Sequence, residues 1–170
     1  MNGHLAILSR VARGAIAVVM LLTASSTSAA DTALSAASDL AADAKSAAQS
    51  GFPLIVLVSL AGCPHCEVVR RSHLLPLLQD GATKLKPSIR QVEINGREIL
   101  LDFMGRKITH AEFAKRYKIS IAPVVLFFDA NGALLAEPLV GSMIPDFYGA
   151  YFDAALDEAK SKLRTARREN

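Results

Sequence analysis

The run Leu54 to Leu60, LIVLVSL, narrows the fold more than any other part of the sequence. A strand with one wet face alternates apolar and polar side chains. No polar residue interrupts this run before Ser59, so both of its faces have to be covered. It is short and rich in branched residues, which suits a strand at the centre of a sheet. PVVLFFD, Pro123 to Asp129, is a second run of the same kind, and Phe127 and Phe128 read as core. A sheet holding two such strands needs helices on both faces.

The rest of the chain supplies them. Residues 33–49, ALSAASDLAADAKSAAQ, place Leu34, Ala37, Ala41, Ala44 and Ala48 on one helical face, joined by Leu40, and Gly51 with Pro53 ends the run. A second helix is expected from Cys63 to about Leu78, broken or kinked at Leu75-Pro76. SIRQVEI, Ser88 to Ile94, reads as a strand, and residues 96–108 as a hairpin-like excursion turning near Gly105. Thr109 and Glu112 have capping-box spacing and should open a short helix carrying Phe113 and Tyr117. After the strand at 123–129, Asn131-Gly132 signals a hairpin with ALLAEPL returning. A last helix is expected over about 145–163, with Phe147, Tyr148, Tyr151, Ala155, Leu156, Ala159 and Leu163 on one face. The basic residues 164–170, RTARREN, should form a frayed, solvated tail. The order α, β, α, β, α, β, β, α predicts an α/β sandwich, a central mixed sheet flanked by helices.

The only two cysteines, Cys63 and Cys66, stand where the first strand feeds a helix, in GCPHCE. Three chemistries are open to such a pair. As a structural staple it closes the shortest useful loop, worth about 2 kcal/mol by loop entropy. A structural zinc site usually needs four ligands, and the chain past residue 30 adds only His65, His73 and His110 to the thiols, with no second cysteine pair. His73 and His110 read as ordinary surface residues, and His65 lies between the thiols. Two thiols could hold Cu(I), but nothing else in the sequence supports that. The third chemistry is reversible redox. Cys63 would be the N-cap and Pro64 would occupy N1, where a missing N–H costs nothing. Unpaired amide N–H groups and the helix dipole then stabilise a thiolate at Cys63, and His65 adds to this if it is protonated or donates a hydrogen bond. Cys66, one turn on and nearer the core, should be the less exposed, resolving thiol.

The compartment decides whether such a pair can be oxidised. Arg10 and Arg13 precede an apolar run at Gly14 to Ala24, and Ser28 and Ala30 suit the −3 and −1 positions of a signal-peptidase site. About 20 apolar residues are needed to span a bilayer, so residues 1–30 are expected to be a cleaved secretory signal, with an uncleaved anchor as the alternative. Removing them takes two arginines from 19 cations, leaving 17 against 16 acids. That near-neutral balance gives no electrostatic case for nucleic acid. Residues 31–163 suit one domain with one core, and a monomer is expected.

A strand leading into C-x-x-C at a helix start, with SIAPVVLFFDANG later, resembles the thioredoxin superfamily over roughly residues 33–163. AEFAKRYKISIAPVVLFFDANG is similar to periplasmic thioredoxin-like proteins of the SoxW type, and CPHC to DsbA-type oxidases. The resemblance implies a cis-proline at Pro123, with the Ala122 backbone beside the cysteines pairing with a substrate segment. It also implies thiol–disulfide exchange with periplasmic proteins through Cys63 and Cys66, tuned by Pro64 and His65. No cofactor or metal beyond that disulfide is expected, and a membrane redox partner would recycle it. A reading from another class is a non-catalytic binding module, or a Cu(I) carrier, built on the same fold. The chain departs from DsbA in lacking a long helical insertion before Pro123. It departs from thioredoxin with Gly62 where tryptophan precedes the first cysteine, and with Leu57 where a buried aspartate stands, so the proton acceptor for Cys66 is unassigned.

Overall fold

The computed structural model describes residues 33–79, 87–141 and 145–169; the expected signal segment lies outside them. Strand β1, Leu54–Ser59, is buried along its whole length. It pairs in parallel with β2, Ile89–Glu93, and antiparallel with β5, Val124–Phe128. Strand β6, Leu139–Val140, closes the order β2-β1-β5-β6. The result is the expected central mixed sheet with helices on both faces.

Alternation along β1 and β5 divides the core in two. Ile55, Leu57, Val125 and Phe127 pack on one side against Val69, Leu74 and the long helix α5, Pro145–Glu169. Leu54, Val56, Val58, Leu126 and Phe128 pack on the other against α1, Leu40–Gln49, and α4, His110–Arg116. Phe127 is fully buried beside Phe152 of α5, at a ring separation of 5.8 Å.

The first helix is shorter than expected. It starts at Leu40, with Asp39 as N-cap accepting from Ala42 N–H at 2.9 Å. Residues 34–38 run beside β2 instead: Ala37 N–H donates to Gln91 O at 2.8 Å, and Gln91 N–H to Ser35 O at 2.9 Å. The outer edge of β2 would otherwise leave its backbone groups without protein partners, and this pairing outweighs the helical propensity of the alanines.

The second helix does not break at Pro76. Helix α2, Pro64–Val69, passes through a π-helical turn, Arg70–Leu74, into α3, Leu75–Gln79. Widening the turn just before a proline relieves the clash between its ring and the preceding carbonyls.

The excursion forms a hairpin of β3, Ile99–Leu101, and β4, Lys107–Thr109, turning through Gly105 at φ +75°. Both halves of the capping box are present, with Glu112 N–H donating to Thr109 Oγ1 at 3.1 Å and Thr109 N–H to Glu112 Oε2 at 2.7 Å. Thr109→Ala should therefore cost about 1 kcal/mol, read as a lower denaturant midpoint with an unchanged m-value.

The return after β5 departs from a simple hairpin. Phe128 bridges to Leu134, whereas Val125 pairs with Leu139, so the returning chain carries two extra residues between these contacts. Pro138, which has no N–H to give a ladder, lies in that bulge. On α5 the buried face holds Tyr148, Phe152, Ala155, Leu156 and Ala159, while Phe147 and Tyr151 are exposed. The inner stripe is thus turned toward Phe152. The expected frayed tail is helical through Glu169. Its cations sit favourably at the helix C-terminus, and Arg167 donates to Ala48 O.

Candidate active site: the Cys63–Cys66 disulfide

Strand β1 delivers the chain to the motif through a tight turn. Cys63 N–H donates to Leu60 O at 3.1 Å, and Gly62 between them has φ +73°. A bulky L-residue is strained in that region, so glycine rather than tryptophan suits this turn. Cys63 is the N-cap of α2, in extended conformation, and Pro64 begins the helix. Sγ of Cys63 accepts from Cys66 N–H at 3.1 Å, so an amide of the first turn already points at the sulfur.

Cys63 and Cys66 are joined in a disulfide with Cα atoms 5.3 Å apart. The two sulfurs differ in access. Cys63 is half-buried, whereas Cys66 is 1% exposed. Pro64 and His65 are exposed on the same turn. Glu67 follows, paired with Arg70 and Arg71; the Arg70 hydrogen bond is the main cause holding its carboxyl below the usual range.

Pro123 lies at the same end of the sheet. Val58 pairs with Val124, so the step before Val124 falls opposite the point where β1 gives way to the cysteine turn. The Ala122–Pro123 peptide is cis, Pro123 is buried, and its carbonyl accepts from Gly141 N–H at 2.8 Å. Leu60, Ile121 and Val140 are exposed at this end and supply an apolar rim. A cleft of about 330 Å³ runs between residues 117–121 and the segment holding Pro138 and Val140.

A second cleft, about 460 Å³, opens on the other side, lined by residues 59–64 and by Glu67, Arg70, Gln91 and Glu93. The sequence reading gave no role to Glu67 or Arg70, nor to Gln91 and Glu93. The last two are placed by the parallel register that sets Ser59 beside Glu93, and that register becomes visible only once the strand order is known.

Two histidines expected at the surface are not there. His110 is 1% exposed; its Nδ1 accepts from Glu93 N–H at 3.2 Å, so Nε2 is the protonated nitrogen and donates to Ala37 O at 3.0 Å. It ties β2 and the segment before α1 to the start of α4. His73 is half-buried, its ring 4.9 Å from that of Tyr148 and 5.7 Å from that of Phe152. Burial pushes its pKa down, against an opposing pull from Asp153.

The excursion is anchored by a buried carboxylate. Asp102 is 2% exposed. Its Oδ1 accepts from Met104 N–H at 2.8 Å and Arg106 N–H at 2.9 Å; its Oδ2 accepts from Arg106 Nε at 2.9 Å and Arg116 Nη1 at 2.5 Å. Burial works to raise its pKa, but the Arg116 hydrogen bond and those from Arg106 and Met104 outweigh it and hold the carboxyl far below the usual range. Among the described residues no group of three or more His, Cys, Asp or Glu is placed to hold a metal ion, and no helix is long and apolar enough to cross a membrane.

Residues 40–160 match the thioredoxin-like domain family. No curated protein matches the sequence. Among solved structures, oxidised mitochondrial thioredoxin 3 from Saccharomyces cerevisiae aligns over 76% of this chain and 98% of its own, with a TM-score of 0.50 at 12% identity. A thioredoxin-fold protein from Helicobacter pylori aligns over 71% of this chain and 93% of its own, with a TM-score of 0.45 at 18% identity.

Proposed function

We propose, given that the chain belongs to the thioredoxin-like family, that it is a thiol–disulfide oxidoreductase exchanging the Cys63–Cys66 disulfide with cysteine pairs of exported proteins. The observation that carries this reading is the unequal access of the two sulfurs, with the reachable one capping a helix. A substrate thiolate attacks Sγ of Cys63, the Cys63–Cys66 bond breaks, and Cys66 leaves as a thiolate that takes up a proton. A second substrate thiolate then attacks the mixed disulfide. The substrate disulfide forms, and Cys63 leaves as a thiolate stabilised by the helix start. Two electrons pass to the protein pair, and the reverse sequence reduces a substrate.

Pro64 and His65 tune the couple; the resemblance of CPHC to DsbA-type oxidases favours an oxidant, and that of the scaffold to SoxW-type proteins a specific reductant. Ala122, held in place by Pro123, offers its backbone to an extended substrate segment, and the exposed Leu60, Ile121 and Val140 suit an unfolded protein better than a small thiol. The positively charged start and short apolar run of residues 10–24 support export to the periplasm, where a membrane redox partner would restore the couple.

Equilibration against glutathione buffers tests the reading. A potential between about −270 and −120 mV is expected, the upper end marking an oxidant and the lower a reductant. A value below about −300 mV would mark a structural disulfide and contradict it.

A further inference from the structure

The cleft beside Cys63 contains a hydrogen-bonded row of side chains that ends on an unused acceptor. Glu67 holds Arg70, and Arg70 donates to Gln91 Oε1 through Nε at 3.0 Å and Nη2 at 2.8 Å. Gln91 Nε2 donates to Glu93 Oε1 at 2.6 Å. The other oxygen, Glu93 Oε2, is buried and has no hydrogen-bond partner among the described residues. Arg70 is engaged by Glu67 and Gln91, and among the described residues Arg71 reaches only Glu67, from the solvent side with 70% exposure. The uncompensated charge therefore sits at the Glu93 end. A buried carboxylate oxygen without a donor is unfavourable, and a charged donor relieves it best.

Glu93 stands beside Ser59 in the sheet, and both line the same cleft as Cys63. At about 460 Å³ the cleft has room for a long side chain. We propose that it is a specificity subsite that takes a lysine or arginine side chain flanking the reacting cysteine of a protein substrate, the Glu93 side chain turning its buried Oε2 toward the cleft to accept from the cation. This inference rests on the exchange reading above. It names a preferred substrate class, proteins with a basic residue next to the cysteine that meets Cys63.

The test uses two peptide dithiols identical except for arginine or glutamate beside the first cysteine. Each is mixed with the oxidised protein at low ionic strength, and its rate is divided by the same peptide's rate with an uncharged disulfide, oxidised 2-mercaptoethanol. That division removes the effect of the neighbouring charge on the peptide's own thiol. The arginine peptide should react about tenfold faster, the size of one well-placed charge pair, and the ratio should shrink as salt screens it. Glu93→Gln should bring the ratio below about threefold. Equal rates in the wild type, or a ratio unchanged in Glu93→Gln, would overturn the subsite and leave the exchange reading standing. If that variant fails to fold, the wild-type salt series decides: a ratio that stays tenfold in high salt is not set by charge. Exchange with neither peptide would sink both readings.

Discussion

Cys66→Ser protein, reduced and mixed with a disulfide-bonded protein substrate, should accumulate as a mixed disulfide through Cys63. Cys63 is the accessible sulfur at the helix cap, so it can attack, but the buried hydroxyl at position 66 cannot resolve the product. Cys63→Ser should be worse. The only thiol left is 1% exposed and one turn into the helix, and turnover should fall by more than about 10³-fold. The two single variants are therefore distinguishable by non-reducing electrophoresis. A stable adduct is expected for Cys66→Ser and none for Cys63→Ser. Adducts of equal yield from both would show that the burial difference does not set the order of attack.

Asp102→Ala should be the most destabilising substitution outside the apolar core. It removes the acceptor for two backbone amides of the hairpin turn and for two arginines, one of which, Arg116, ties the hairpin to α4. Arg106 and Arg116 are 60% and 40% exposed, so water satisfies much of what they lose, and the cost falls below that of a fully buried pair, at about 2–3 kcal/mol. For a domain of this size that is a drop in Tm on the order of 10 °C.

The same residue predicts acid sensitivity. Because the folded state depresses the Asp102 pKa, its contribution is fully present above the unfolded-state value near 3.8 and is lost as pH falls through the folded value. Asp102→Asn should therefore lose less stability than wild type between pH 5 and pH 2, measured by denaturant titration at each pH. Parallel pH curves for the two proteins would contradict the assignment.

The parts legible in the sequence were those fixed by local chemistry. Double-faced burial marked β1 and β5 without any knowledge of neighbours. The capping box at Thr109 and the proline after Cys63 declared their helix starts because cap preferences act over three or four residues. What stayed hidden depends on partners distant in the chain. Residues 34–38 pair with β2 because that edge is open, against their own helical pattern. Phe152, rather than Phe147 or Tyr151, faces inward because α5 docks on Phe127. His110 is buried because Ala37 O and Glu93 N–H meet its two nitrogens, 73 and 17 residues away. The cleft beside Cys63 exists only once Glu93 is set next to Ser59.

One titration bears on the central claim most directly: following thiolate absorbance of the reduced protein against pH, with Cys66→Ser to isolate Cys63. The sulfur at the start of α2, facing amide hydrogens and next to His65, should ionise well below the ordinary thiol value of about 8.5. Ionisation at that ordinary value would mean that the helix cap does not activate Cys63, and would contradict the catalytic-oxidant reading in favour of a binding module.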